Sequence, residues 1–482
     1  MTSTKKQLIS GVTYTAVSKY SGIFISLIVA AILSRLIVPE DFGIVAIAMV
    51  FITFFNTFSN LGIAPAIVQN KELEEKDLSE IFCFTIWIAL ILSVIFFFLS
   101  GLIASYYESP HLLSICRILS IQLFFATINI VPNSLFLKNK RFKFIATRNL
   151  IIQLIAGIIA IIAAFSGAGL YALLIAPVLT AVARFIIGIY VYPQKIEWTF
   201  GINAVRKIFA YSLYQFLFEM INYFSRNLDK LMIGKYLGMT PLGYYEKSYR
   251  LMMLPLQNIT HVITPVLHPV LSDLQKNMSQ ISASYIKIVR FLAFIGFPLS
   301  VFLFFTAKEI TLLIFGMQWT ASVPVFQILA LSVGIQMILS TSGSIFQAAN
   351  DTKMLFVSGI ISTLLTVTGL CVGLFIFKTL IAVAWGICIS FVLNFVLCYV
   401  IMYRITLKVD MLSFWKQFIS PLVISIISLI IMFFLNQLVR DYSLWMSLII
   451  KSIAFFSIVL FYMQLTGEYN IKGKIKQIIQ RK

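Results

Sequence analysis

The chain has 482 residues, of which 60% are hydrophobic and 11% charged, and its mean hydropathy is +0.96. Soluble domains carry about a quarter charged residues, so this composition excludes a soluble enzyme or binding domain and makes lipid the solvent for most of the surface. The net charge of +19 does not point to nucleic acid, because the basic residues lie between apolar runs, where they set membrane orientation; no zinc spacing, glycine-rich phosphate loop or RNA-binding aromatic motif accompanies them.

The first apolar run follows Lys5 and Lys6 and extends to about Ile37. That is too long for a cleaved signal peptide, so it reads as a retained membrane helix. In chain order the predicted spans are 8–36, 42–68, 79–105, 111–136, 143–166, 169–192, 207–234, 243–271, 284–306, 321–348, 353–377, 379–403, 414–435 and 444–466. Runs this long are not the alternating strands of a barrel, and helices satisfy every backbone group within themselves. The expected fold is an all-α integral membrane protein of about fourteen transmembrane helices. Five cysteines, Cys83, Cys116, Cys371, Cys388 and Cys398, all fall inside apolar runs without a CxxC pair, and read as small hydrophobes.

Orientation follows from Lys and Arg. With the N-terminus in the cytoplasm, 22 basic residues fall in cytoplasmic segments and five (Arg35, Lys235, Lys308, Lys378 and Arg440) in outer ones. The positive-inside rule then places both termini in the cytoplasm, which requires an even helix count. Outer segments are short, the longest expected from about Ala307 to Thr320.

An internal repeat is visible. Ser34 to Ala46, SRLIVPEDFGIVA, aligns with Gly234 to Glu246, GKYLGMTPLGYYE, at an offset of 200. Arg35 matches Lys235, Gly43 matches Gly243, Tyr14 matches Tyr214, and Pro65 matches Pro265. At an offset of 210, Ser134, Phe136 and Lys143 match Ser344, Phe346 and Lys353. Both copies begin in the cytoplasm, so the repeat is parallel. Expected domains are a six-helix lobe at 1–195, a second at 196–408, and two additional helices with a basic tail at 409–482. Two such lobes imply a cavity between them and alternating access.

A charge at membrane depth is a functional hypothesis by default. In the seventh span, Ser212, Glu219, Tyr223, Arg226 and Lys230 share one helical face, flanked by Asn222 and Asp229. In the eighth, Glu246, Arg250, Gln257, His261, Thr264 and His268 do so. The first and second spans, their counterparts in the repeat, carry Lys19 and Asn60 among milder polar stripes. Arg117, Arg148, Arg184 and Arg290 complete the intramembrane cations. Arg148 and Arg290 lie near the cytoplasmic boundary, where a long side chain can snorkel to water. Cations outnumber acids, which suits an anionic substrate such as a diphosphate that Arg grips bidentately. Arg226 and Lys230 are the first candidates for that contact. Glu219, Asp229 and Glu246 are candidates for coupling to H+ or Na+, or for salt bridges. No carboxylate–histidine zinc spacing occurs, and no cofactor is expected.

The segment Asn227 to Thr260, NLDKLMIGKYLGMTPLGYYEKSYRLMMLPLQNIT, resembles the signature of Wzx-type polysaccharide flippases of the MOP (multidrug/oligosaccharidyl-lipid/polysaccharide) superfamily. RLIVPEDFGIVAIA and FLKNKRFKFIATRNL are similar to the same family's opening helix pair and its segment after helix four. The resemblance spans about residues 5–410. It implies a V-shaped pair of six-helix bundles in the bacterial inner membrane. It implies passage of an undecaprenyl-diphosphate-linked oligosaccharide, an O-antigen, capsule or exopolysaccharide repeat unit, from the cytoplasmic to the periplasmic leaflet. Membrane lipids, and a polymerase and chain-length regulator of the same pathway, are the implied partners. A lipid II or drug exporter of the same superfamily is the nearest alternative. A membrane enzyme of polysaccharide assembly is a more distant one, since it would need a sizeable outer loop with acid–base groups.

Overall fold

A computed structural model describes residues 3–60, 62–70, 73–195, 223, 226–275 and 277–466, with side chains described from Tyr14 onward except at 261, 262, 265 and 266. Every regular element among the described residues is a helix. The chain forms two compact units, Met1–Gly243 and Tyr244–Lys482.

The first unit holds α1 (Ser3–Leu36), α2 (Pro39–Asn60), α3 (Ile63–Gln69), α4 (Glu75–Tyr106), α5 (Pro110–Ile128), α6 (Ile130–Lys138), α7 (Phe142–Phe165), α8 (Ala172–Val191) and α9 (226–236). Local chemistry sets several boundaries. Gly62 takes a left-handed φ of 73° between α2 and α3, a conformation that glycine adopts at no steric cost. Glu74 and Asp77 form a reciprocal capping box that starts α4, and Pro110 occupies the first turn of α5. Helix α4 pairs with α5, α1 lies along α7, and α8 closes against α5 and α7. Gln153 donates from α7 to the Gly22 carbonyl of α1 at 2.8 Å.

The second unit holds most of α10 (Met239–Ser272), then α11 (Met278–Phe315), α12 (Ser322–Ala330), α13 (Val333–Leu339), α14 (Ser342–Ala348), α15 (Thr352–Cys371), α16 (Leu380–Ile401), α17 (Leu412–Trp415), α18 (Ile419–Leu438) and α19 (Leu444–Thr466). The expected span 321–348 is bent by 49° between α12 and the α13–α14 segment. Its helices cross closely at glycines, as helices do in lipid. A Cβ on Gly369 would stand 2.3 Å from the Gly386 carbonyl oxygen, and one on Gly296 2.8 Å from the Gly334 Cα.

Eleven described helical stretches are long and apolar enough to cross a membrane, or twelve with the bent segment counted as one. The chain is a multi-pass membrane protein. Helix α10 has the length, 34 residues, but its polar stripe keeps it outside the apolar set. The expected seventh span, 207–234, lies largely outside the described residues. The cysteines are all free, four of them buried.

Two glycines of the first unit admit close backbone approaches. A Cβ on Gly43 would sit 1.8 Å from the Met239 carbonyl oxygen, and one on Gly243 2.0 Å from the Pro39 carbonyl oxygen. Pro39 and Met239 stand at the same 200-residue offset as the two glycines, and the approach is reciprocal.

One expectation is overturned. Residues 307–315 are not an outer loop but the last turns of α11. Lys308 and Glu309 looked like loop markers, yet Glu309 is buried and its Oε1 accepts from Lys451 Nζ of α19 at 2.5 Å. The Lys451 ammonium also donates to Asn436 Oδ1 at 2.7 Å and to the Phe305 carbonyl at 2.9 Å, and Ser447 donates to Glu309 Oε1 at 2.6 Å. All three ammonium donors are therefore used. The acid and the cation that the span-by-span reading passed over tie the last two helices to α11.

Two predictions follow from these contacts. Gly43→Ala and Gly243→Ala should each cost about 1–3 kcal/mol, while Gly101→Ala, with no atom within 4 Å of its Cβ, should cost little. Thermal unfolding in detergent checks this, and equal melting of Gly43→Ala and Gly101→Ala would refute the close crossing. Lys451→Met leaves a buried carboxylate alone and should cost about 3–5 kcal/mol, most of it recovered in the double variant with Glu309→Leu. A double variant no more stable than Lys451→Met would show that the charges are not coupled.

Candidate functional site

The interior of the first unit gathers polar groups on α5–α6, α7 and α8. Residues 122, 126, 129 and 133 recur at intervals of three and four, and so form one stripe running from α5 into α6. Residues 176, 180 and 184 do the same on α8. Between the stripes lies a cavity of about 440 Å³ lined by Gln122, Asn129, Pro177, Thr180, Ala181 and Arg184. Arg148 of α7, 5% exposed, donates from Nη2 to Asn133 Oδ1 at 2.9 Å and stacks 5.0 Å from the centre of the Phe136 ring. Arg184 is close enough for the two guanidiniums to repel. Among the described residues neither has a carboxylate partner. The Nε of both, Arg148 Nη1, Gln122 Oε1 and Asn129 Oδ1 are buried without a hydrogen bond.

The end of the first unit carries the other stripe. The Tyr223 hydroxyl donates to the Val50 carbonyl, and its ring lies 6.3 Å from that of Phe54. Asp229 is buried, and its Oδ1 accepts from the Lys230 amide at 2.8 Å. Arg226 is exposed and Lys230 half-buried. Tyr107 donates its hydroxyl to the Leu231 carbonyl at 3.3 Å. Burial holds that phenol's pKa above its ordinary value, so it stays a neutral donor. Glu219 and Asn222 lie outside the described residues, as does the side chain of His261.

In the second unit, Glu246 and Arg250 stand one turn apart on α10 and attract each other. Lys247 between them was not singled out in the sequence. It is 2% exposed, with its ammonium 4.7 Å from the Phe315 ring centre and 5.1 Å from that of Trp319. Such desolvated cation–π contacts are worth about 2 kcal/mol. Two hydrogen bonds between Ser248 and Ser322 and between Ser322 and the Tyr244 carbonyl pin the same turn.

The model of a family described as polysaccharide biosynthesis protein matches residues 32–324. The chain belongs to the polysaccharide biosynthesis protein family. Relatives include the teichuronic acid biosynthesis protein TuaB of Bacillus subtilis (strain 168), 24% identical over 74% of this chain and 74% of that protein. The lipopolysaccharide biosynthesis protein WzxC of Escherichia coli (strain K12) is 23% identical over 77% and 76%. The succinoglycan biosynthesis transport protein ExoT of Rhizobium meliloti (strain 1021) is 24% identical over 68% and 67%. In fold, this family member is similar to the lipid II flippase MurJ in an inward closed conformation, with TM-score 0.71, 16% identity, and 94% of this chain and 98% of that one covered. A multidrug resistance MATE transporter of the MOP superfamily follows at TM-score 0.61 and 15% identity, over 80% and 94%.

The candidate cations of this family member are divided between the two units. Arg148 and Arg184 come together inside the first unit. Arg250 stands with Glu246 on α10, and Arg226 with Lys230 on α9. Arg117 is exposed on the α4–α5 hairpin, its guanidinium 4.8 Å from the Phe97 ring centre. Lys19, Asn60, Gln257 and Arg290 are also exposed. Arg148 is no snorkelling residue, because Asn133 and the Phe136 ring hold it inside the bundle. Gln122, Asn129, Asn133 and Thr180 were missed, although the three-and-four spacing of polar residues in the fourth span carried the signal.

A cation partly withdrawn from water without a counter-charge, as Arg184 is, costs stability. Arg184→Met, which keeps the volume and removes the charge, should leave the melting temperature unchanged or raise it while lowering export of the cell's polysaccharide. A fall in melting temperature with normal export would make Arg184 a structural residue.

Proposed function

We propose that the protein is a flippase for undecaprenyl-diphosphate-linked oligosaccharide, carrying an O-antigen, capsule or exopolysaccharide repeat unit from the cytoplasmic to the periplasmic leaflet of the bacterial inner membrane. The observation that carries this reading is the pair Arg148, buried, and Arg184, half-buried, both without a carboxylate partner among the described residues, in a chain of the polysaccharide biosynthesis protein family. Anionic substrate supplies the missing charge. The relatives named for teichuronic acid, lipopolysaccharide and succinoglycan favour a polysaccharide precursor over a drug, and their roles in biosynthesis and transport favour a carrier over an enzyme.

The working lobes are 1–195 and 196–408, alternating in access to the two sides, with 409–482 appended and both termini in the cytoplasm. The prenyl tail stays in lipid while diphosphate and sugars pass over cationic side chains. Arg226 and Lys230 serve the diphosphate, with Arg250, Lys19, Arg117 and Arg290 along the route. Asp229, Glu246 and Glu219 are the acids through which H+ or Na+ couples. A polymerase and a chain-length regulator receive the product.

Cells lacking this gene should accumulate complete, unpolymerised lipid-linked repeat units on the cytoplasmic leaflet, measured by leaflet-selective labelling of extracted glycolipids. Arrest at an earlier, incomplete unit would instead indicate an enzyme of the pathway. Arg226→Ala and Lys230→Ala should each abolish complementation at normal membrane abundance, and full activity in both would remove them from the site.

A further inference from the structure

A second cavity of the first unit, about 660 Å³ in volume, lies where α4 begins and where α6 and α8 end. Its floor is apolar: Leu78 and Leu135 line it and pack into a cluster with Ile63, Ile67, Ile81 and Val131. Its walls are cationic, with Lys76, Lys138 and Lys195 set against one lining carboxylate, Glu75. The neighbouring Asp77 is committed elsewhere, accepting from the Glu74 amide at 3.2 Å. Lys138 spends one of its three donors on the Asn70 carbonyl at 3.0 Å. Tyr192, also in the lining, accepts from Asn139 Nδ2 at 2.8 Å, which leaves its own hydroxyl proton to donate. The Phe136 ring centre stands 4.9 Å from that of Tyr192 and the Arg141 guanidinium 5.3 Å, so the fold itself fixes this ring.

Position narrows the ligand. The stretches Glu75–Tyr106, Pro110–Lys138 and Gly169–Val191 are each long and apolar enough to cross a membrane, and the cavity stands where all three give way to polar chain. That is the depth of lipid headgroups. Ile186 and Tyr190, one turn apart and exposed near the end of α8, carry an apolar track from there toward the hydrocarbon. A soluble anion would use the lysines and leave the floor and the track bare. A zwitterionic lipid would cover the track and bring the lysines no net charge. An anionic phospholipid meets both, with its phosphate among the ammonium groups and the Tyr192 hydroxyl, and its chains along α8. We propose that this cavity binds the headgroup of an anionic phospholipid. The inference does not rest on the transport reading, since the cavity shares no lining residue with the one beside Arg184.

The test is lipid binding to the full-length protein, purified in detergent. The probes are phosphatidylglycerol, phosphatidylethanolamine of the same chains, and inorganic phosphate. Native mass spectrometry and lipid-induced thermal shift are the readouts. Phosphatidylglycerol should be retained and should raise the melting temperature, while phosphatidylethanolamine and phosphate bind at least about fivefold more weakly. Lys76→Gln and Lys195→Gln, both at exposed positions, should each weaken phosphatidylglycerol binding about fivefold, and together about 25-fold. Lys140→Gln removes an exposed charge from the same end of the unit but outside the lining, and should leave binding unchanged.

Equal retention of phosphatidylglycerol by the wild type and by the Lys76→Gln/Lys195→Gln variant would mean lipid contact without a site, and would overturn the proposal. A loss as large with Lys140→Gln would mean a diffuse basic surface and overturn it too. Inorganic phosphate binding as tightly as the lipid would make the cavity a soluble-anion site. No binding of any probe would leave it filled by water alone, and either result overturns the proposal.

Discussion

An apolar solvent has no cheap place for a polar group, and every feature of this protein is an answer to that constraint. Backbone amides are met by closing every described span into helix. Helices that cannot gain by hiding apolar surface from lipid gain instead by close approach. The glycines at 43 and 243, 296 and 334, and 369 and 386 are where that approach happens. Side-chain charges admit two solutions. Glu309 and Lys451 take the first, each meeting the other and all three ammonium donors being spent. Arg148 and Arg184 differ, having no carboxylate partner among the described residues.

The contrast between these two pairs separates architecture from function. Around Lys451 the carboxylate, an amide oxygen, a backbone carbonyl and a serine close a network that leaves no place for a visitor at the ammonium. Around Arg184 a cavity remains, lined also by Gln122, Asn129 and Thr180. Lys247 is a third case, a cation set against the faces of Phe315 and Trp319. Counting cations along the spans does not distinguish these environments, which is why a net excess of basic residues is a weaker guide than the company each one keeps.

Much of the fold was legible because it rests on periodicity and length. Long apolar runs, each of about a membrane's length, needed no three-dimensional information. Breaks inside spans were harder. Gly62 and the bend after Ala330 interrupt runs whose hydropathy continues across them. The misreading of residues 307–315 has the same root: a buried ion pair between α11 and α19 is invisible to a rule that treats each span alone. At the candidate site, Arg184 and Arg148 were readable as intramembrane cations. Gln122, Asn129 and Asn133 were not singled out, because neutral amides barely lower the hydropathy of a long apolar run.

The Glu309–Lys451 pair also bears on how the protein is made. Lys451 lies in the last described helix, and a lysine at the centre of a helix opposes insertion by about 2.5–3.5 kcal/mol. Its partner Glu309 and its second acceptor Asn436 are synthesised earlier. The final helix therefore enters the bilayer most easily as a docking event onto a bundle already assembled, with α11 and α18 presenting the acceptors. The last described helix thus carries a cation whose acceptors lie on α11 and α18, helices that precede it in the chain.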